Sequence, residues 1–155
     1  MKSKRIKIKS PSEIKKELRD KLDTIFSVFI RIRNADRNGY VKDFITGRYY
    51  HWTTIQCGHF MRREFKATRW DEKNCQVQTV HQNIILHGNQ FAFSQKLDRK
   101  YGAGTAEMLR IKSQNICKLD EFKLNTLIKH YTEKVIEIAE EKGLEVKILK
   151  IKNGV

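Results

Sequence analysis

The spacing of apolar residues predicts two long amphipathic helices, one near each end of the chain. The first follows Ser10, a helix-capping residue, and Glu13 lies where it would complete a capping box. Pro11 fits the first helical turn, where a backbone N–H is not needed. The apolar stripe then extends to about Arg33 and consists of Ile14, Leu18, Leu22, Ile25, Phe29 and Ile32. The second helix is predicted to start after Asp120 and to stop at Gly143.

The middle of the chain predicts shorter elements. β-Branched and aromatic residues become frequent from Tyr40 to Phe60, and glycines interrupt them, which predicts a β-hairpin of short strands. Residues 80–101 are predicted to be helical in two pieces, with a break near 87–89. A short helix is expected around 106–111. The tail LEVKILKIK alternates apolar and basic residues, as an exposed strand would.

These elements predict an α+β fold in a single domain of 155 residues. A chain of this length buries roughly two-thirds of its unfolded surface, so no covalent or metal cross-link is obligatory. The expected organisation is a basic arm at 1–9, an N-terminal helix at 10–34 and a mixed core at 40–101, followed by a helical part at 105–143 and a tail at 144–155.

The charge of the chain predicts a polyanionic partner. Lysines and arginines number 32 against 18 acidic residues, a formal net charge of +14. Each phosphate that such a surface neutralises releases counterions, which favours binding to nucleic acid. A membrane surface is the competing partner, but the predicted helices mix glutamate with lysine instead of forming a basic amphipathic face. We therefore expect DNA or RNA, and no membrane, as the partner.

The three cysteines indicate a reducing compartment. Cys57, Cys75 and Cys117 are an odd number and form no CxxC pair, and the chain has no apolar stretch of signal or transmembrane length. We expect a cytoplasmic protein with free thiols. A zinc site built from Cys57, His59, Cys75 and His81 is the alternative, although their spacing is not an established zinc-binding pattern.

One group of polar residues suggests phosphodiester hydrolysis. That reaction needs a base to deprotonate water and a cation to neutralise the charge that develops on the phosphate. A ββα-metal finger supplies a histidine on a strand, an asparagine in the following loop and a metal ligand on the helix. His59, Asn74 and Asn83 match that order and approximate spacing. A structural histidine, a turn-forming Asn74 and a solvated Asn83 are the alternative interpretations.

Several longer motifs strengthen this interpretation. The stretches IRIRNADRNGYVK, QCGHFMRR, ATRWDEKN, LHGNQ and KLDRKYG, within residues 29–109, resemble the phage lambda NinG (Rap) recombination-protein family of the HNH nuclease superfamily. The resemblance implies an HNH-like, treble-clef-like ββα finger at 40–101, embedded in a helical frame. It assigns His59 as the general base, Asn74 as the loop asparagine and Asn83 as a ligand of Mg²⁺ or Mn²⁺, with His59 as the second candidate ligand of that metal.

The resemblance also implies a biological role. The implied activity is cleavage of branched or recombination-intermediate DNA, in the host cytoplasm if the protein is phage-encoded. Because resolving a junction usually needs two active sites, a homodimer is expected.

Two departures from the family pattern stand out. The family holds a structural zinc with two CxxC pairs, and the corresponding positions here are Asp43, Thr46, Thr79 and Gln82. Structural zinc contributes on the order of 10 kcal/mol to a small finger, so hydrogen bonds cannot replace it bond for bond. We expect a zinc-free finger in which side-chain hydrogen bonds link the loop at 43–47 to residues 79–83. Gly58 also occupies a position where many HNH enzymes have an aspartate.

Basic residues near the histidine are the predicted DNA contacts. They are Arg62, Arg63, Lys66, Arg69 and Lys73. A solvated charged surface is the simpler explanation of such a run. The sequence as a whole predicts an HNH-type endonuclease. The alternatives are a catalytically inactive DNA-binding recombination accessory and a basic protein-binding module, which salt-dependent DNA binding would distinguish.

Overall fold

Two long helices form the frame on which the rest of the chain packs. In the computed structural model, which describes residues 9–87 and 89–146, α1 spans Pro11–Ile32 and α4 spans Glu121–Lys142. Between them lie the strands β1 (Tyr40–Lys42), β2 (Tyr49–His51), β3 (Gln56–His59) and β4 (Cys75–Gln78), a π-helical turn (His81–Ile85), α2 (Gln90–Tyr101) and α3 (Thr105–Ser113). The mixed α+β architecture is confirmed. Residues 1–8 of the predicted basic arm and residues 147–155 of the predicted tail lie outside the described residues.

Local signals define the ends of both long helices, as the sequence predicts. The Ser10 hydroxyl accepts a hydrogen bond from the Glu13 N–H at 3.3 Å, and the Glu13 carboxylate accepts one from the Ser10 N–H at 2.7 Å. Asp120 caps α4 through the Lys123 N–H, and Gly143 ends it with a φ of 68°. Lys142 joins the two helix ends by donating from Nζ to the carbonyl oxygens of Ile32, Arg33 and Ala35.

The main hydrophobic core lies where α1 meets α4. The Tyr131 ring of α4 packs edge-on against Phe26, with ring centroids 4.8 Å apart. It also packs against Phe29 in a tilted arrangement, with ring centroids 5.1 Å apart. The β3–β4 hairpin packs against the same core through Cys57, Cys75 and Val77, all buried. A second, smaller cluster joins Phe60 to α2 and α3. The two clusters together fix the hairpin, and the residue that follows β3, against the helices. The end of β3 therefore has a defined position.

The strand pairing differs from the predicted single hairpin within Tyr40–Phe60. β1 pairs with β2, whereas β3 pairs antiparallel with β4, with Gln56 opposite Gln78 and His59 opposite Cys75. β4 was not predicted because all four residues of CQVQ are buried, so its polar residues do not mark an exposed face. After β4 the chain turns through the π-helical segment into α2. The predicted break is confirmed at His87 and Asn89, which both have positive φ.

Asp43 makes the hydrogen-bonded connection that the sequence analysis expects in place of zinc. Its side chain is 1% exposed, and its carboxylate accepts hydrogen bonds from the N–H groups of Ile45 at 3.0 Å, Thr46 at 2.5 Å and Thr79 at 2.8 Å. The predicted hydrogen-bonded connection between the loop and the helical segment is therefore present. The other three positions bond locally: Thr46 accepts from Arg48, Thr79 from Gln82, and Gln82 from Asn89.

Close packing explains the glycine at position 58. A Cβ atom there would lie 1.8 Å from Gln78 Oε1 and 2.6 Å from Gln78 Cδ. Gln78 is fully buried, so it has no free space into which to move. An aspartate before His59 would therefore force the buried Gln78 side chain out of its present position.

Replacing Asp43 with alanine should destabilise the fold strongly. Three N–H groups would lose a buried, charged acceptor, which we expect to lower the free energy of unfolding by about 2–4 kcal/mol. Urea unfolding followed by circular dichroism measures this change. Asp36→Ala is the matched control: Asp36 is exposed and accepts from the N–H groups of Asn38 and Tyr40. Water can replace that acceptor, so the control should cost less than about 1 kcal/mol. Equal losses would contradict the proposed cross-linking role.

Candidate functional site

His59 lies at the end of β3, beside the largest of the described clefts. The cleft has a volume of about 770 Å³, and Asn83 from the π-helical turn lines it together with His59. The structure thus brings the predicted base and the predicted metal ligand to one cleft. The other lining residues are Cys57, Phe60, Met61, Arg62, Arg63, Glu64, Phe65, His87, Gln90 and Arg110.

A backbone carbonyl orients the His59 ring. His59 Nε2 lies 3.0 Å from the carbonyl oxygen of Arg69. A carbonyl oxygen can only accept a hydrogen bond, so Nε2 must carry the hydrogen. In the neutral ring, Nδ1 is then the nitrogen with a free lone pair. This is the tautomer that a general base requires.

The carbonyl of Arg69 is itself held by α1. The Arg69 guanidinium donates to both carboxylate oxygens of Asp23, and the Trp70 indole N–H donates to the same carboxylate at 2.9 Å. A further guanidinium N–H bonds to the Arg63 carbonyl oxygen. This engagement gives Arg69 a structural role in the loop between β3 and β4, and its role as a DNA contact stays a prediction. Asp23 and the Arg69 carbonyl were both missed by the sequence analysis.

Asn74 stabilises the same loop. It is fully buried, and its Oδ1 accepts from the Met61 N–H at 2.7 Å while its Nδ2 donates to the carbonyl oxygens of Met61 and Thr68. The sequence analysis assigned Asn74 as the loop asparagine of the site. In the structure its side chain bonds within the loop, and the His59 ring bonds to the Arg69 carbonyl, so Asn74 acts on the histidine only through the loop.

Asn83 is oriented by a neighbouring strand. Its Nδ2 donates a hydrogen bond at 2.8 Å to Oε1 of Gln56, the first residue of β3. With the amide nitrogen engaged in this way, Oδ1 is the atom that Asn83 offers to a cation. An amide oxygen suits Mg²⁺, which accepts few protein ligands and keeps water and phosphate oxygens in its shell. Glu64 is the carboxylate that lines the same cleft.

Burial keeps His59 neutral. Loss of solvent, with a smaller contribution from the positive charge of Arg63, lowers the pKa of His59 from 6.5 to about 4. The Arg69 carbonyl and Asp23 act in the opposite direction and favour the charged ring. At neutral pH the ring is therefore unprotonated.

The basic residues divide into separate groups. Arg62 and Arg63 are exposed at the cleft, and Lys66 is exposed on the following loop. Arg110 of α3, which the sequence analysis missed, lines the cleft as well, with its guanidinium 5.2 Å from the Phe60 ring centre. Lys73 instead lines a different cleft beside α3.

Two thiols lie beside His59. Cys57 and Cys75 are buried, and each offers a sulfur atom that, with one His59 ring nitrogen, forms a group whose atoms are all within 4.8 Å of one another. Burial raises the pKa of the Cys75 thiol. His81 is exposed and is not part of this group, in contrast to the four-residue alternative weighed from the sequence.

The fold and site define a strongly basic α+β protein in which a neutral histidine and an asparagine share a cleft rimmed by arginines. The chain belongs to the NinG family: the family model described as Bacteriophage Lambda NinG protein matches residues 1–141. This membership implies a role related to phage recombination. Comparisons with curated proteins and with solved structures found no match. Within the described residues, no helix is long and apolar enough to cross a membrane.

The depressed pKa of His59 predicts how stability depends on pH. The unfolded chain takes up a proton on His59 near pH 6.5, whereas the folded protein does so only near pH 4. Protonation in this window favours the unfolded state, so the contribution of His59 to stability is lost as pH falls from 6.5 to 4. The loss should reach up to about 3 kcal/mol. Urea unfolding between about pH 4 and 7.5 should show a steeper profile for wild type than for His59→Gln. Parallel profiles for the two proteins would contradict the burial argument.

Proposed function

We propose that this protein is an HNH-type, metal-dependent endonuclease that cuts branched or recombination-intermediate DNA. The observation that carries the proposal is the state of His59: a neutral ring at a cleft, with Nε2–H engaged by a carbonyl and Nδ1 left as the basic nitrogen. Membership in a family related to phage recombination supports DNA as the substrate.

The chain's own groups suffice for the proton transfer. A water molecule in the cleft loses a proton to His59 Nδ1, and its oxygen forms a new bond to phosphorus. The bond between phosphorus and the leaving oxygen breaks in the same displacement, and the leaving oxygen takes a proton from solvent. The ring becomes positively charged in this step. The carboxylate of Asp23 and the Arg69 carbonyl favour that charged ring, so the groups that orient the base also stabilise it.

The proposed cofactor is Mg²⁺ or Mn²⁺, held by Asn83 Oδ1 with phosphate and water oxygens, and with Glu64 as a further candidate ligand. When bound, the cation would neutralise charge on the phosphate and the leaving oxygen. His59 serves as the base in this arrangement, since a ring nitrogen cannot both coordinate the cation and accept the proton from water.

The arginines at the rim account for substrate binding. Arg62, Arg63 and Arg110 line the cleft, so a backbone phosphate can approach His59 from a positively charged surface.

We propose a homodimer, whose two clefts would each act on one strand of a junction. Sedimentation of the protein on branched DNA tests this oligomeric state. The main alternative is a DNA-binding accessory without catalysis, which the loss of the zinc cysteines favours.

Replacing His59 with alanine should abolish cleavage. The proton acceptor would be lost, so the rate of metal-dependent cutting of plasmid and branched DNA should fall about 100-fold or more, with DNA affinity nearly unchanged. His130→Ala is the matched control, because His130 is exposed on α4 and should keep full activity. Asn83→Ala should also be inactive in Mg²⁺ but should recover partly in excess Mn²⁺, since it lacks a ligand and retains the base.

Two results would decide against the proposal. Wild type that cuts no linear, supercoiled or branched DNA in either metal would leave the binding-only alternative. Equal cutting by wild type and His59→Ala, purified identically to exclude contaminating nucleases, would show that the base is elsewhere.

Replacing both Arg62 and Arg63 with alanine should weaken DNA binding for every sequence tested. Two phosphate contacts would be lost, so the slope of log affinity against log salt should fall by about two. Lys123→Ala/Lys129→Ala removes the same charge from exposed positions on α4 and is the matched control. Fluorescence anisotropy across a salt series measures both. A larger effect in the control would place the DNA surface on α4.

A further inference from the structure

The face of the β3–β4 hairpin that carries His59 also carries two cysteines. Side chains alternate along a strand, so Cys57 and His59 project from the same face of β3. His59 is directly opposite Cys75 on β4, and Cys57 is opposite Val77, which places Cys75 on that face as well. The hairpin register therefore creates the three-residue group.

The donor atoms of this group suit a soft divalent metal. They lie within 4.8 Å of one another, whereas zinc bonds of about 2.0–2.3 Å require roughly 3.3–3.8 Å between tetrahedral donors. Side-chain rotations that move each atom by less than about 1 Å would close this difference. Two thiolates and an imidazole select zinc over magnesium, which prefers oxygen ligands.

Access and charge are compatible with binding. Cys57 and His59 line the cleft, so a metal ion can reach them from solvent, and the cleft leaves room for water as a fourth ligand. Arg31 of α1 lies close enough to Cys57, and Arg33 just after α1 lies close enough to Cys75, to interact electrostatically with the sulfur atoms. Metal binding releases the thiol protons, and the two thiolates then balance the charge of a divalent ion.

We propose that Cys57, His59 and Cys75 form a binding site for Zn²⁺ or a similarly soft divalent metal, and that its occupancy removes His59 from its role as base. On binding, the two S–H bonds break, two sulfur–metal bonds form and two protons pass to solvent. The site is separate from the family's zinc position, which here holds Asp43, Thr46, Thr79 and Gln82. The inhibitory consequence rests on the proposed endonuclease function, whereas the binding itself does not.

Cobalt absorption tests the binding directly. Reduced, metal-stripped full-length protein titrated with Co²⁺ should develop thiolate-to-cobalt charge-transfer and tetrahedral d–d bands that saturate at one equivalent. Zn²⁺ should abolish these bands. Cys57→Ala and Cys75→Ala should each lose most of the band intensity, and Cys117→Ala, which removes a cysteine outside the group, should keep it. Circular dichroism confirms that each variant is folded, and Cys57→Ala remains decisive if Cys75→Ala does not fold.

Cleavage assays test the consequence. In excess Mg²⁺, one equivalent of Zn²⁺ should slow wild type and Cys117→Ala roughly tenfold or more, and Cys57→Ala should resist. Absence of charge-transfer bands in wild type, or their persistence in Cys57→Ala, would overturn the site whether or not the protein cuts DNA. Bands without cleavage in Mg²⁺ would overturn the endonuclease proposal alone. Bands with undiminished cleavage in Zn²⁺ would overturn the inhibitory role of the site.

Discussion

The hydrogen bond between His59 Nε2 and the Arg69 carbonyl is the contact on which the site's chemistry depends. It selects the tautomer, and it holds the ring at the edge of the cleft. A carbonyl in a long loop would not hold a ring firmly by itself. Here the Asp23 carboxylate accepts hydrogen bonds from the guanidinium of Arg69 and the indole of Trp70. The Asn74 side chain bonds to Met61 at the start of the loop and to Thr68 in its middle. Asp23 belongs to α1, and α1 is fixed by its long contact with α4. The helical frame thus positions a histidine that lies on a β-strand.

This frame also explains how the hairpin can be stable with polar residues at the four positions where the family resemblance implies zinc-binding cysteines. A small isolated finger has too little core to fold without metal, and zinc supplies on the order of 10 kcal/mol. In this chain the hairpin packs on the core between α1 and α4, which already stabilises it. What remains necessary is a local connection between the loop after β1 and the start of the helical turn. The buried carboxylate of Asp43 makes that connection by accepting three N–H groups. The carboxylate of Asp43 supplies the local connection between the two segments. The core between α1 and α4 supplies stability to the hairpin that packs on it.

The sequence predicted those features that depend on local or repeated signals. α1 and α4 were predicted with their caps because apolar residues recur every three or four positions and Ser10, Asp120 and Gly143 mark the ends. The pairing of His59 with Asn83 at one site followed from motif spacing. β4 was missed because its buried glutamines hide the alternation of a strand. The Arg69 carbonyl and Asp23 were missed for another reason. Every residue has a carbonyl, so its role leaves no trace in composition, and Asp23 meets the loop only through tertiary packing.

Burial gives His59 and its neighbouring thiols related properties. Removing a group from water disfavours its charged form, which lowers the pKa of the histidine and raises that of Cys75. A histidine that stays neutral at physiological pH keeps a free lone pair on the ring, which a general base and a metal ligand both require. A protonated thiol gives up its proton only to a metal that binds sulfur strongly. A hard cation such as Mg²⁺ therefore leaves the thiols protonated and the histidine free, whereas a soft cation draws all three groups together. The identity of the metal, and not only its presence, would then determine whether this cleft holds a base.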